Sequence, residues 1–533
     1  MPIEKISLLH LGKVDGKHEF TESGTKAQYF FDAFLIPESI NVDDFLVGDR
    51  FIISGFRGTG KTSLLRYLAK QLNDGGGIGQ IVLFKTGLSE TQKIEISRLS
   101  QASLEELISE KIEIAQDFKD AWRWFFHKKI GELLKDKMEI ARNNRLLQSY
   151  LELLGLNDTP WFEKIMGGFP KLEGTKVKIR GKMPFLEASV EGKIPSGDTG
   201  NSILFSEVVN KLDEMIARIG LSRLIYIYVD ELEVFFHTQE QYRRDLRLVR
   251  DLLFAAEKMV QIDARAKIGL RVCVAVRSEV LDALGAEGQE VTRLAHDCGV
   301  NIAWHYAKRG LDHPLIEMVR KKVWASEKSA KIELSEDPIE TYFPTSVKGI
   351  PLDAFLLDQS FYKPRDLVWR LTIAQRFSPA ASKFDEQAFT QTDVDYSAKL
   401  WDEILYELSA VYSPAEISGI EGAFSGLGVY FNTQDLNERF KSRAAVNKAI
   451  ASMIKRRPIN LIAQDLYRLG AIGNAFRVGP RSRDVRNRWV FRGDSTLLLD
   501  KRMELHPALT KRLAAIRPKR RSKSSKHNAE GHE

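Results

Sequence analysis

The chain has 533 residues, 43% hydrophobic and 28% charged, which excludes disorder throughout and suits several folded domains. Its net charge of +7 is unevenly placed: residues 441–533 carry 23 Lys and Arg against 7 Asp and Glu, so the first 440 residues are net acidic. No apolar run approaches the ~20 residues that span a bilayer, no leader peptide is expected from MPIEKISLLH, and two cysteines, Cys273 and Cys298, fit a reduced cytoplasm rather than a disulfide framework.

In chain order, residues 1–48 read as a lead-in with a helix from Lys26 to Leu35. Phe51 to Ser54 predicts a short strand, and Gly55 to Lys61 a glycine-rich loop. Thr62 to Leu72 follows with Leu64, Leu65, Tyr67, Leu68 and Leu72 at helical spacing. The glycines Gly75 to Gly77 predict a turn, and Gln80 to Phe84 the next strand. Residues 92–155 are helical in pattern, whereas Lys171 to Ile194 alternates apolar and polar residues between turn glycines, as one or two hairpins would. An amphipathic helix (Ser202 to Ile219), a strand (Leu224 to Val229), a helix (Tyr242 to Val260) and a strand (Leu270 to Val276) complete an alternation that predicts a parallel α/β sheet. Residues 311–378 read as mainly helical. Residues 400–516 hold helices and then a hairpin around Arg477 to Phe491, and the chain ends in a basic tail of disordered composition.

Gly55-Phe56-Arg57-Gly58-Thr59-Gly60-Lys61-Thr62 matches G-x-x-x-x-G-K-[ST] in full, between a predicted strand and a predicted helix. Glycines let such a loop turn tightly and aim N–H groups at phosphate oxygens, and the helix adds its positive dipole end. Phosphate contacts are therefore expected from Gly55 through Ser63, with Lys61 on the β- and γ-phosphates and the Thr62 hydroxyl on magnesium. LIYIYV ends in Asp230-Glu231; beyond the carboxyl end of a parallel strand, Asp230 would hold the magnesium shell and Glu231 would activate the attacking water. The strand RVCVAV ends in Arg277, placed to read a γ-phosphate. No guanine-specifying N-K-x-D is present, which favours ATP over GTP.

GFRGTGKTSLL, YVDELE and VCVAVRSEV, in this order, resemble the origin-recognition and STAND branches of the AAA+ ATPases. The resemblance covers most of residues 48–516, with the phosphate loop as its most specific part. It implies a sensor arginine at Arg277, then a helical lid with a G-x-P-R motif, to which Tyr362-Lys363-Pro364-Arg365 is similar although it lacks the glycine. Arg365 thus looks like the lid arginine that contacts the nucleotide. A winged-helix domain commonly follows. A DELE-like acidic strand end, Pro-Arg-Asp-Leu and His506-Pro-Ala-Leu509 are also similar to prokaryotic ATPases found in mobile or antiviral-defence contexts. The stretch between Thr62 and Leu224 is longer than a minimal core of this kind uses, which implies an insertion.

The expected organisation is an α/β P-loop NTPase with a parallel sheet, a helical insertion, a helical lid and a C-terminal winged helix. Its bounds are 1–48 lead-in, 49–310 ATPase domain with the insertion at about 92–200, 311–395 lid, 396–516 winged-helix-like domain and 517–533 basic tail. The function expected is an ATP-hydrolysing switch using ATP and Mg2+, homo-oligomeric or bound to a partner protein, cytoplasmic and without a membrane. Arg243 and Arg244 are candidates for an arginine donated to a neighbour's site. Two alternatives stay open: an ATPase that binds double-stranded DNA through residues 441–526, where Lys455, Arg456, Arg457, Arg477, Arg481, Arg483, Arg486 and Arg488 cluster, and a nucleotide-locked scaffold with little turnover. The same basic module would serve equally for packing between domains.

Overall fold

A computed structural model describes residues 3–13, 25–83, 118–156, 205–230, 239–305, 310–409, 411–477, 485–494 and 496–516, and every structural statement below concerns these. The hairpins expected at Lys171 to Ile194, the acid Glu231 and the basic tail from 517 lie outside the described residues. Two compact units emerge: residues 36–303 form one, and 3–13, 25–35 and 304–516 form the other.

The first unit is built on five parallel strands. They are β1 (Ile52–Gly55), β2 (Ile78–Leu83), β3 (Ile225–Asp230), β4 (Leu270–Arg277) and β5 (Gly299–Asn301), in the spatial order β2-β3-β4-β1-β5. Every residue of β1 and β3 is buried, as continuous apolar runs in a sheet covered on both faces require. The chain leaves β1 for the far edge at β2, returns through β3 and β4, and then passes β1 to reach β5. The order thus reverses around β1, the place where open parallel sheets form a crevice at their carboxyl ends. Helix α1 (Lys61–Asp74) follows β1 and buries Leu64, Leu65, Leu68, Ala69 and Leu72, a single helical stripe.

The opposite face of the sheet carries Ile52, Ile225, Ile227, Val229, Val272, Val274 and Val276. These join one core with α2 (Lys119–Asp136), α3 (Asn144–Leu153), α4 (Phe205–Ile219) and α5 (Gln239–Ala266). Helix α2 is buried on almost every side, from Ala121 through His127 and on to Ile130, Gly131 and Leu134. Its apolar residues share one core with the strands, so this part of the long stretch after β2 is structural substance of the sheet unit. Burying Trp122, Phe125 and Phe126 contributes about 2–3 kcal/mol each. The main polar groups this burial captures find partners: Trp122 Nε1 donates to Leu248 O at 2.9 Å, and His127 bridges Tyr150 OH (2.9 Å) and Asp213 (2.8 Å). Arg123 closes on the same Asp213. Burial holds the His127 imidazole below its ordinary pKa, and a neutral ring donating to an ionised Asp213 satisfies both groups.

Helices α6 (Ser278–Glu287) and α7 (Gln289–Cys298) connect β4 to β5. Neither cysteine is bonded: Cys273 is buried in β4 and Cys298 ends α7.

The second unit recruits the N-terminus. Ile3 N donates to Tyr342 OH at 2.8 Å, His10 N to Ser326 Oγ at 2.8 Å, and Gln375 Nε2 to the carbonyls of Ile6 and Leu9. The segment read as a lead-in is therefore divided, with residues 3–13 and 25–35 serving this unit and 36–48 the sheet. Helices α8 (Pro314–Ser329), α9 (Pro364–Phe377) and α10 (Asp393–Leu408) precede α11 (Pro414–Phe424). Then come β6 (Tyr430–Phe431), α12 (Thr433–Val446), α13 (Lys448–Arg456), α14 (Ile459–Arg468), β7 (Ile472–Arg477), β8 (Val485–Arg488) and β9 (Met503–Leu505). The four strands form one antiparallel sheet in the order β8-β7-β9-β6. One core runs from Phe361 and Trp369 through Trp401, Phe424 and Tyr467 to Leu513, so residues read as two domains, 311–395 and 396–516, share it.

Among the described residues no helix is long and apolar enough to cross a membrane.

Candidate functional site

The loop between β1 and α1 turns on Gly58 (φ 85) and Gly60 (φ 100), both left-handed, a region costly for residues with a Cβ. Gly55 is needed for a different reason: a Cβ there would sit 2.6 Å from Thr59 Oγ1. Thr59 is buried and its hydroxyl donates to Phe56 O at 2.8 Å, which pins the loop to itself. Lys61 opens α1 and donates through Nζ to Gly55 O (2.7 Å) and Phe56 O (3.0 Å), so its ammonium lies inside the curl of the loop. Phe56, Arg57 and Ser63 are half-buried.

Strand register sets what meets this loop. Gly55 pairs with Arg277, Leu83 with Asp230 and Ser54 with Asn301, so β1 to β5 end at one edge. There the Thr62 hydroxyl donates to Asp230 Oδ2 at 2.5 Å, joining residues 168 positions apart. Asp230 is 4% exposed, and its oxygens with the Thr62 hydroxyl form the hard oxygen pair that suits magnesium. Burial pushes up the neighbouring Cys273 thiol, and the Asp230 charge adds to this, so that sulfur stays a protonated, inert spacer. Arg277 leaves β4 between the ends of β1 and β3, 17% exposed, with its guanidinium 3.9 Å from Glu279.

Asn301 was absent from the sequence reading. Its amide oxygen accepts from Ser54 Oγ and from Ser278 Oγ, each at 3.2 Å, tying the ends of β1, β4 and β5 together. The strand it ends has three residues and no apolar run, so periodicity carries no signal for it.

The structure groups Gly55 to Ser63, Asp230 and Arg277 at one sheet edge. It places Arg365 in the second unit, at the start of α9, with Nη1 3.3 Å from Glu403. Counting back from Pro364-Arg365, Tyr362 occupies the position of the motif's glycine. Its φ is 50°, the conformation glycine would adopt without strain. The ring is held by Phe491 (5.9 Å, stacked), His313 (5.5 Å) and the Arg492 guanidinium (5.1 Å), which also donates to its hydroxyl at 3.3 Å. Packing around the ring thus offsets the strain of this left-handed backbone. Arg243 and Arg244 lie in the first turns of α5, Arg243 exposed.

No protein-family model matches the chain, and no curated protein matches it.

Proposed function

We propose that the chain is an ATP-hydrolysing molecular switch of AAA+/STAND type, in which a helical lid carrying Arg365 and a winged helix built from α11 to β9 respond to the state of the nucleotide. The observation that carries this reading is the Thr62–Asp230 contact beside the glycine loop at the carboxyl edge of a parallel sheet. Loop N–H groups and the start of α1 would hold phosphate oxygens, and Lys61 would neutralise the β- and γ-phosphates. Magnesium held by Thr62 and Asp230 would supply charge neutralisation at the phosphate oxygens. Arg277, leaving the strand between β1 and β3, suits a γ-phosphate reader, and Glu231 would take the proton from the attacking water. Arg365 would report the same phosphate to the lid, so that hydrolysis removes a contact and releases it. A neighbouring copy supplying Arg243 or Arg244, a cytoplasmic setting and a role in a prokaryotic antiviral-defence system belong to the same reading.

The test is ATP turnover by the full chain with magnesium. Glu231→Gln is expected to bind ATP and to turn it over about a hundredfold more slowly. Unchanged turnover removes Glu231 from the role, and failure of the parent protein to bind ATP overturns the reading. Binding with negligible parental turnover would point instead to the nucleotide-locked scaffold.

A second reading, a DNA-associated ATPase, is favoured by the exposed cations of the second unit: Lys448, Lys455 and Arg456 on α13, and Arg477 and Arg486 on the β7–β8 hairpin. Turnover stimulated by duplex DNA and lost at high salt would select it.

A further inference from the structure

Helix α14 presents two unlike faces. Ile459, Ile462, Ala463, Leu466 and Tyr467 are buried and fix the helix in the core of the second unit. Asp465, the one acid of this helix, is buried with them. Arg457 grips it with two bonds (Nε to Oδ2 2.6 Å, Nη2 to Oδ1 2.5 Å), and Tyr412 donates to Oδ2 at 2.5 Å. The outward face is left with no carboxylate of its own. It carries Asn460, Leu461 (46% exposed), half-buried Gln464 and Arg468, whose side chain is 61% exposed and 3.9 Å from Asp465.

Positions 460, 464 and 468 are four apart and line one stripe of the helix, with Leu461 beside it. Amide–amide–guanidinium is an unusual stripe to leave outside. A solvated face favours Lys and Glu, and a packing face favours apolar residues. Asn and Gln each offer a donor and an acceptor side by side, which matches the major-groove edge of adenine. Arg matches guanine, and an apolar side chain matches the thymine methyl. The helix runs directly into β7, and the β7–β8 hairpin that follows exposes Arg477 and Arg486. Before it, α13 exposes Lys455 and Arg456, the latter also 2.9 Å from Glu416. Uncharged hydrogen-bonding groups flanked by cations are the arrangement a polyanion with readable edges selects: cations meet phosphates, and the stripe meets bases.

We propose that α14 reads duplex DNA by sequence, with Asn460, Gln464 and Arg468 on base edges in the major groove and Arg477 and Arg486 on the backbone. This rests on the DNA-associated reading above and adds specificity to it. The occupant is DNA rather than double-stranded RNA, because the RNA major groove is too deep and narrow for a helix to enter. Leu461 is the contact for a thymine methyl.

The experiment is selection of bound duplexes from a randomised DNA pool by the full-length protein at low salt, followed by affinity measurement on the enriched and a scrambled duplex. The expected result is an enriched site containing A·T and G·C pairs at fixed spacing. The triple variant Asn460→Ala, Gln464→Ala, Arg468→Ala should lose the preference for that site, on the order of tenfold per contact. It should keep the salt-sensitive affinity for scrambled DNA and an unchanged melting temperature, since all three positions face outward. Arg477→Ala with Arg486→Ala should weaken both duplexes alike and flatten the salt dependence. Salt-sensitive binding without any enriched site, or an enriched site that the triple variant still prefers, overturns the assignment of α14 while leaving DNA association intact. Absence of DNA binding at low salt overturns both.

Discussion

Asp230 and Asp465 are both buried carboxylates, each accepting a hydroxyl hydrogen bond at 2.5 Å, yet they differ in what becomes of their charge. Asp465 sits inside α14 and is answered by the Arg457 fork, whose bonds raise the guanidinium pKa against the lowering effect of burial. Its charge is consumed within the fold, and its burial leaves the outward face of α14 without an acid. Asp230 ends a strand at the carboxyl edge of a sheet and meets a neutral alcohol beside a glycine loop. A buried acid with a cation in hand is architecture. A buried acid facing an alcohol at a strand end is, in the function proposed above, the group that would hold magnesium.

Substitution separates the two roles. Asp230→Asn should lower ATP turnover on the order of a thousandfold with little change in melting temperature, read by steady-state kinetics and calorimetry. A full-strength Asp230→Asn enzyme would remove the contrast. Arg457→Ala should do the reverse. It leaves Asp465 buried without its cation and destabilises the second unit by about 3 kcal/mol, seen in denaturant unfolding, while nucleotide affinity stays within twofold. If stability is unchanged, Asp465 is not held as described.

Acid probes the second unit through a single buried imidazole. Burial, with Lys363 and Arg492 adding to it, pushes His506 down to about 3 from an ordinary 6.5. The unfolded chain therefore binds a proton that the folded one refuses, and stability is lost as pH falls from 6.5 toward 3, by about 1.4 kcal/mol per pH unit for one group. His506→Gln should flatten that limb in pH-dependent unfolding, and a parallel loss in both proteins would assign the acid sensitivity elsewhere. The smallest effect is expected at Tyr362. Tyr362→Phe loses the 3.3 Å bond from Arg492 and keeps the ring stack, so about 1 kcal/mol or less should be lost. A larger loss would mean that the hydroxyl, rather than the ring, holds the strained turn.

Much of the sheet was legible because its signals are local. A strand buried on both faces reads as an apolar run, as IYIYV does, and a phosphate-type loop demands glycine where φ is positive, as at Gly58 and Gly60. Residues 92–155 read as helical, and the described part of that stretch, from residue 118, does hold α2 and α3. Their place in the main core was not legible, since an apolar helix looks the same in an appendage as against a sheet. Asn301 escaped because a three-residue strand has no period.

By itself, the sequence determined the glycine loop, the strand that ends in Asp230, the cation that ends β4 and the basic bias after residue 440, each written in neighbouring residues. The tertiary structure alone decided that Thr62 and Asp230 meet across 168 positions, that Arg277 emerges between the ends of β1 and β3 and that Asp465 turns inward while Asn460, Gln464 and Arg468 turn out. The physical reason is that strand order and register are set by which apolar faces can be covered together, a property of the whole core that no short run of residues contains.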